Sequence, residues 1–295
     1  MTREPLETGL LDTQRGEYVC VTTVEDGFEQ LGERISECFE RLSTIEIVEG
    51  SPILADDRFF HPVFRTLSQD VSQCLLSALD HLRFLVWSLK NRDQPYPIAQ
   101  ATLIRTAITG GATALWMISG ATSFERRCRA MQFMFNDTRS QINWMDSTGS
   151  QPPNMKRPAD ETASFRAVHT ELDRRLDWLV GQANALLEPP EPLTRRTYGR
   201  QHITSDTDMV KAAGSITPAI GTGGWNSGLV LLNSWQVLSG YAHARPWATA
   251  LGSKIVVNDS KPHPTTGAIK VNRPGPDGDS RYWIPTRAWS VRFVA

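Results

Sequence analysis

A serine and a histidine one helical turn apart can share a ligand or pass a proton. The stretch WQVLSGYAHARPWA, residues 235–248, holds such a pair in Ser239 and His243. On a helical wheel of about 100° per residue, Gln236, Ser239, Gly240 and His243 fall within about 100° of one another. Leu231, Trp235, Leu238 and Ala242 take the opposite side. A solvent face usually carries Lys or Glu, and this one carries neither. The pattern therefore admits a polar pocket in which Gln236, Ser239, Tyr241 and His243 touch a ligand. It equally admits a histidine that satisfies the last carbonyls and the dipole of its helix. A Ser–His hydrolase would also need an oxyanion loop and an orienting acid, and neither stands at recognisable spacing.

Arg105 is the lone charge in "IAQATLIRTAITGGATALWMISGA", residues 98–121. Ile98, Ala101, Arg105, Ile108, Ala112 and Leu115 share one broad face, and Ala107, Gly110, Gly111 and Ala114 allow close helix approach. A guanidinium among such neighbours must be paired or must line a wet cavity, because stripping a buried pair of one partner costs about 3–5 kcal/mol. A structural salt bridge and a contact to an anion or substrate both satisfy that demand. Arg105 and His243 converging on one hollow is the central expectation. The central arginine and the polar Thr/Ser content argue for a buried helix rather than a membrane span.

Much recognisable chemistry is missing. There is no H-E-x-x-H, no E-x-x-H, no G-x-S-x-G and no G-x-x-x-x-G-K-[ST]. "GTGGWNSG" lacks the lysine of a phosphate cradle and has no strand before it. Asp56, Asp57, His61, Asp80 and His81 are metal-ligand types at no metal-site spacing, so neither a metal nor a cofactor is expected. Cys20, Cys38, Cys74 and Cys128 form no C-x-x-C pair and read as reduced structural thiols.

A helix bearing "LIRTAI" followed much later by one bearing "LSGYAHA" resembles, over residues 60–250, bacterial all-α proteins near the HEPN and abortive-infection-type helical domains. That resemblance implies a helical fold and, for its ribonuclease members, an R-x4–6-H motif whose arginine and histidine handle the scissile phosphate and proton transfer. The match here is Arg195 or Arg196 with His202 in "RRTYGRQH". The segment follows the proline-rich "EPPEPL" as a loop rather than opening a long helix, which departs from the family pattern. A non-catalytic relative is equally compatible.

The elements that must position these groups are mostly helical. Apolar residues at three-four spacing predict helices over 24–45, 62–90, 97–119, 122–145 and 161–187, a short one over 206–216 and another over 229–244. Loops are expected near 146–160 and 188–204, including Arg195 to His202. After Pro246, short β-like runs ("KIVV", "AIKV", "RYWIP", "WSVRFV") alternate with turns. The expected fold is mainly α: a multi-helix bundle over 1–250 with a small irregular β-containing C-terminal appendage over 251–295.

The 295 residues are 40 % hydrophobic and 21 % charged, with a formal charge of −1 from 31 basic and 32 acidic residues. That balance removes any global pull toward nucleic acid or anionic lipid. No apolar h-region opens the chain, so a cytoplasmic protein without membrane partners is expected. Two functions follow. The first is a helical binding or regulatory protein, of a phage or defence system, whose Arg105/His243 pocket recognises a small ligand or a protein segment. The second is a HEPN-like metal-independent ribonuclease using His202 or His243 with Arg196 or Arg105, and only that reading makes RNA a partner. Nine tryptophans, Trp225 and Trp247 among them, could also serve a homo-oligomer interface.

Overall fold

The structure is a computed structural model that describes residues 8–12, 17–21, 24–91, 96–149, 159–217, 227–251, 256–257, 268–273 and 280–285. Ten α-helices lie among these residues. They are α1 (Val24–Thr44), α2 (Pro52–Phe59), α3 (Leu67–Lys90), α4 (Pro97–Ile118) and α5 (Ser123–Gly149), then α6 (Ala159–Leu187), α7 (Arg195–Gln201), α8 (Asp206–Ile216), α9 (Ser227–Ala242) and α10 (Pro246–Leu251). The mainly helical fold read from the sequence is what the structure shows.

Helix starts follow local chemistry. Ser51 Oγ accepts the Leu54 amide, and Pro52 fills the first turn of α2, where its missing N–H costs nothing. Thr66 and Gln69 form a reciprocal capping box at α3, as do Thr194 and Thr197 at α7. At α5 the Thr122 hydroxyl accepts the Glu125 amide, while the Glu125 carboxylate reaches back to the Ala121 amide.

Several boundaries differ from expectation: α5 runs to Gly149, into the loop expected from 146, and Pro246–Leu251 forms a helix where none was expected. The helix expected over 62–90 begins at Leu67, because a 3-10 turn at His61–Val63 ends at Phe64 in the left-handed region (φ 52°) and Thr66 then caps α3. Pro52–Phe59 forms a helix that the periodicity did not show. Arg195 to Gln201, expected as loop, is helix α7. Asn184 explains how the proline-rich stretch delivers it: its side chain accepts the Leu193 amide and donates to the Leu193 carbonyl, fixing the turn out of α6.

Helix α4 is the hub, packing on α3, α8 and α9, while α5 lies against α6 and α1 against α3. One core joins Phe60, Val63, Leu67, Met117, Met131, Met134, Phe135, Leu179 and Tyr198. A second, smaller one joins Ala112, Val210, Ala213 and Trp235. Close approach is bought by small residues. A Cβ on Gly110 would lie 2.6 Å from the Cys74 carbonyl oxygen, and one on Gly214 would lie 2.5 Å from Gly228 Cα.

Short antiparallel pairs occur toward both ends: β1 (Thr8–Asp12) with β2 (Glu17–Val21), and β3 (Val256–Val257), β4 (Ala268–Arg273) and β5 (Ser280–Pro285) in that order. Most of the appendage expected over 251–295 lies outside the described residues, as do Trp225 and the loop "GTGGWN". No helix among the described residues is long and apolar enough to cross a membrane.

Candidate functional site

Arg105 and Ser239, 134 residues apart in sequence, meet between α4 and α9. Arg105 Nε donates to Ser239 Oγ (2.8 Å), and Ser239 Oγ donates to the Trp235 carbonyl (2.8 Å). Trp235 Nε1 donates to Thr109 Oγ1 (2.9 Å), whose hydroxyl donates to the Arg105 carbonyl (2.9 Å). Four residues thus close a circuit across two helices. The Arg105 guanidinium lies 5.3 Å from the centre of the Trp235 ring. Its charge is met by an indole face and a hydroxyl rather than by a carboxylate among the described residues, so the salt bridge considered from sequence is not how it is satisfied.

The remaining residues of the expected pocket disperse. Gln236 and His243 are exposed and Tyr241 is half-buried. The His243 ring makes no hydrogen bond among the described residues, although its amide bonds the Ser239 carbonyl (3.0 Å). The arc that looked continuous on the wheel is divided among three neighbours. Ser239 faces α4, and Gly240 faces α10, where a Cβ would lie 2.5 Å from Ala248 Cβ. Gln236 and His243 are left to solvent. Ala244, at φ 51°, then ends α9 in the left-handed region.

In α7, Arg195 is committed to Asp177 (2.7 Å) and Asp173 (2.5 Å) on α6. Arg196 is exposed, and His202 follows the helix with its ring stacked on buried Tyr198, centroids 5.5 Å apart. Of the acidic residues noted in the sequence, Asp56 and Asp57 are structural and Asp80 is exposed. Asp56, fully buried, receives Arg126 (2.7 Å) and Arg127 (2.8 Å), and Asp57 holds the amide and hydroxyl of Ser68. His81 Nδ1 contacts the Ser77 carbonyl. Among the described residues no group of His, Cys, Asp and Glu is arranged to hold a metal.

A feature that sequence reading missed lies beside the α4–α9 circuit. A cavity of about 360 Å³ opens between α3, α4, α5 and the α7–α8 connection. Thr106, Thr109 and Thr113 line it from α4, Gln73, Cys74 and Ser77 from α3, and Gln132, Phe133 and Asn136 from α5. Thr204 and Asp206 close it from the connection before and into α8. The Thr113 side chain has no hydrogen-bond partner among the described residues although the residue is 5 % exposed. Gln132 Oε1 accepts both the Thr204 amide (3.2 Å) and hydroxyl (2.7 Å), which leaves its NH2 group without a protein acceptor among the described residues.

Cys74 carries the electrostatic signature of this region. Burial pushes its thiol up to about 12, and the Asp70 carboxylate adds to the rise. The sulfur stays protonated at neutral pH and is a poor nucleophile. Threonines at i, i+3 and i+7 on one helix face were the available signal. They were read only as polarity incompatible with a membrane, and the partner residues come from three other segments.

No protein-family model matches the chain, and neither a curated protein nor a solved structure proves similar to it.

Proposed function

We propose that this is a helical binding protein that takes a small molecule into the cavity between α3, α4, α5 and the α7–α8 connection. The observation that carries the reading is Thr113. Its hydroxyl bonds to no protein group among the described residues and stays accessible at the cavity wall, so a guest there meets a hydrogen-bonding group that the protein does not use. The surrounding groups suit capture rather than reaction: apart from the Asp206 carboxylate they are neutral amides and hydroxyls, a protonated thiol and aromatic rings.

Arg105 and Ser239 act in this reading as positioning residues. Their circuit ends on the Thr109 hydroxyl, so it fixes the rotamer of one cavity wall and couples α9 to any change there. Gln236, Tyr241 and His243 do not line the cavity and are surface or groove residues open to a protein partner. The free thiols Cys38, Cys74 and Cys128 fit a reducing cytoplasmic compartment. Residues 251–295 are read as a small β-containing appendage to the helical body.

The test is a ligand-observed NMR screen of neutral and charged fragments against wild type and Ser77→Leu, whose longer side chain fills the cavity. Hits bound by wild type and lost in folded Ser77→Leu support the reading. An empty screen, or hits indifferent to Ser77→Leu, would remove it.

A further inference from the structure

The cavity's lining restricts its guest, and the inference rests on the binding reading above. We infer that it accepts an uncharged ring compound with a donor–acceptor edge, a nucleobase or nucleoside, and rejects the phosphorylated counterpart. Three observations carry this.

Size comes first. A volume of about 360 Å³ stands near the small end of ligand pockets, which run roughly 300–1,000 Å³. One or two fused rings fit, and a long chain does not.

Charge comes second. Among the described residues no Lys, Arg or His lines the cavity, and the one charged lining residue is Asp206. The neighbouring cations already bond protein groups. Arg65 bonds Asp70 and Asp137, Arg129 bonds the Trp116 carbonyl and Ser119 Oγ, and Arg139 bonds Asn136 Oδ1. A phosphate entering would lose water without gaining a lining cation, and it would meet the Asp206 carboxylate.

Edge chemistry comes third. Gln73, Gln132 and Asn136 each carry a carboxamide. Thr204 and Arg139 occupy the Gln132 and Asn136 oxygens, so these two present NH2 donors, while Gln73 keeps the paired donor and acceptor that match the edge of a base. The Gln132 amide is oriented in advance by Thr204, with its NH2 group uncommitted to the protein. Trp116 and Phe133 supply aromatic surface for a flat ring. The Thr113 hydroxyl adds one more group that the protein leaves unmet.

The experiment is calorimetric titration of the full chain with adenosine, guanosine, cytidine and uridine, each paired with its 5′-monophosphate. At least one nucleoside should bind, with its monophosphate weaker by about tenfold or more. Thr113→Val keeps the side-chain shape and should weaken the bound nucleoside by roughly fivefold, the worth of one neutral hydrogen bond. Its melting temperature should not fall, because the hydroxyl has no protein partner to lose. A monophosphate that binds as tightly as its nucleoside overturns the inference, as does the absence of any nucleoside binding. If fragments still bind in a Ser77-dependent way while nucleosides do not, the ligand class falls and the cavity reading stands. If no fragment binds either, both fall.

Discussion

Asp70 is held near pH 6 by burial, although Arg65 lies 2.5 Å away and pulls the other way. Burial wins because only one carboxylate oxygen is met; Oδ2 has no partner among the described residues. The Asp137 and Asp57 carboxylates add to the rise. A carboxyl raised from 3.8 to about 6 in the folded state binds its proton more tightly there than in the unfolded chain. Its contribution to stability is therefore present in full below about pH 4 and is lost as pH rises through about 6. The expected result is a stability difference between wild type and Asp70→Asn that shifts against wild type across this window and is flat above it. Denaturant melts at half-unit pH steps from 3.5 to 7.5 measure it. A difference independent of pH would show that Asp70 titrates normally. Glu171, whose carboxylate is lowered from 4.5 to about 2 chiefly by the hydrogen bond from Arg174, alters stability at the acid end of this range equally in both proteins and cancels in the difference.

At the scale of elements, two adjacent glycines in α4 do opposite things. A Cβ on Gly110 would strike the Cys74 backbone at 2.6 Å and press Ala78, whereas one on Gly111 would meet nothing within 4 Å. Gly110→Ala should then cost about 1–3 kcal/mol by forcing α3 and α4 apart. Gly111→Ala should gain roughly 0.5–1 kcal/mol by restricting the unfolded backbone in a helix interior. Urea unfolding of the two variants decides it, and equal effects of like sign would contradict the packing described for α3 and α4. The same pair shows what a sequence reveals. Periodicity and capping residues disclose the long helices, since those signals are local: α1, α4, α6 and α8 lie within a few residues of expectation. The small-residue run of α4 announces close packing but not which glycine faces α3. The breaks at Phe64 and the short α7 escape because they depend on a left-handed residue and on an Asn184 clamp that no hydrophobic period encodes. The Arg105–Ser239 bond unites two residues singled out in advance, yet the wheel assigned Gly240 and His243 to the same face. Helices α4 and α10 in fact share out that arc with solvent.

For the whole molecule, the cavity and the R-x4–6-H segment make separable demands. Capturing a neutral guest needs a preformed hollow with unmet polar groups, and α3, α4 and α5 supply one. Cleaving RNA without a metal needs a histidine free to exchange protons and an arginine free to meet the developing phosphorane charge. In α7 the nearer-buried candidate, Arg195, is neutralised by Asp173 and Asp177, and the His202 ring is stacked on Tyr198. Only exposed Arg196 is left to serve, and the chain carries no net positive charge to gather RNA. Incubating a labelled single-stranded RNA with wild type, His202→Ala and His243→Ala in EDTA should give three identical backgrounds. His202→Ala should instead lower the melting temperature modestly, because Tyr198 loses its stacked cover. Cleavage by wild type that disappears in His202→Ala alone would reverse this ranking and make α7 the working element of the protein.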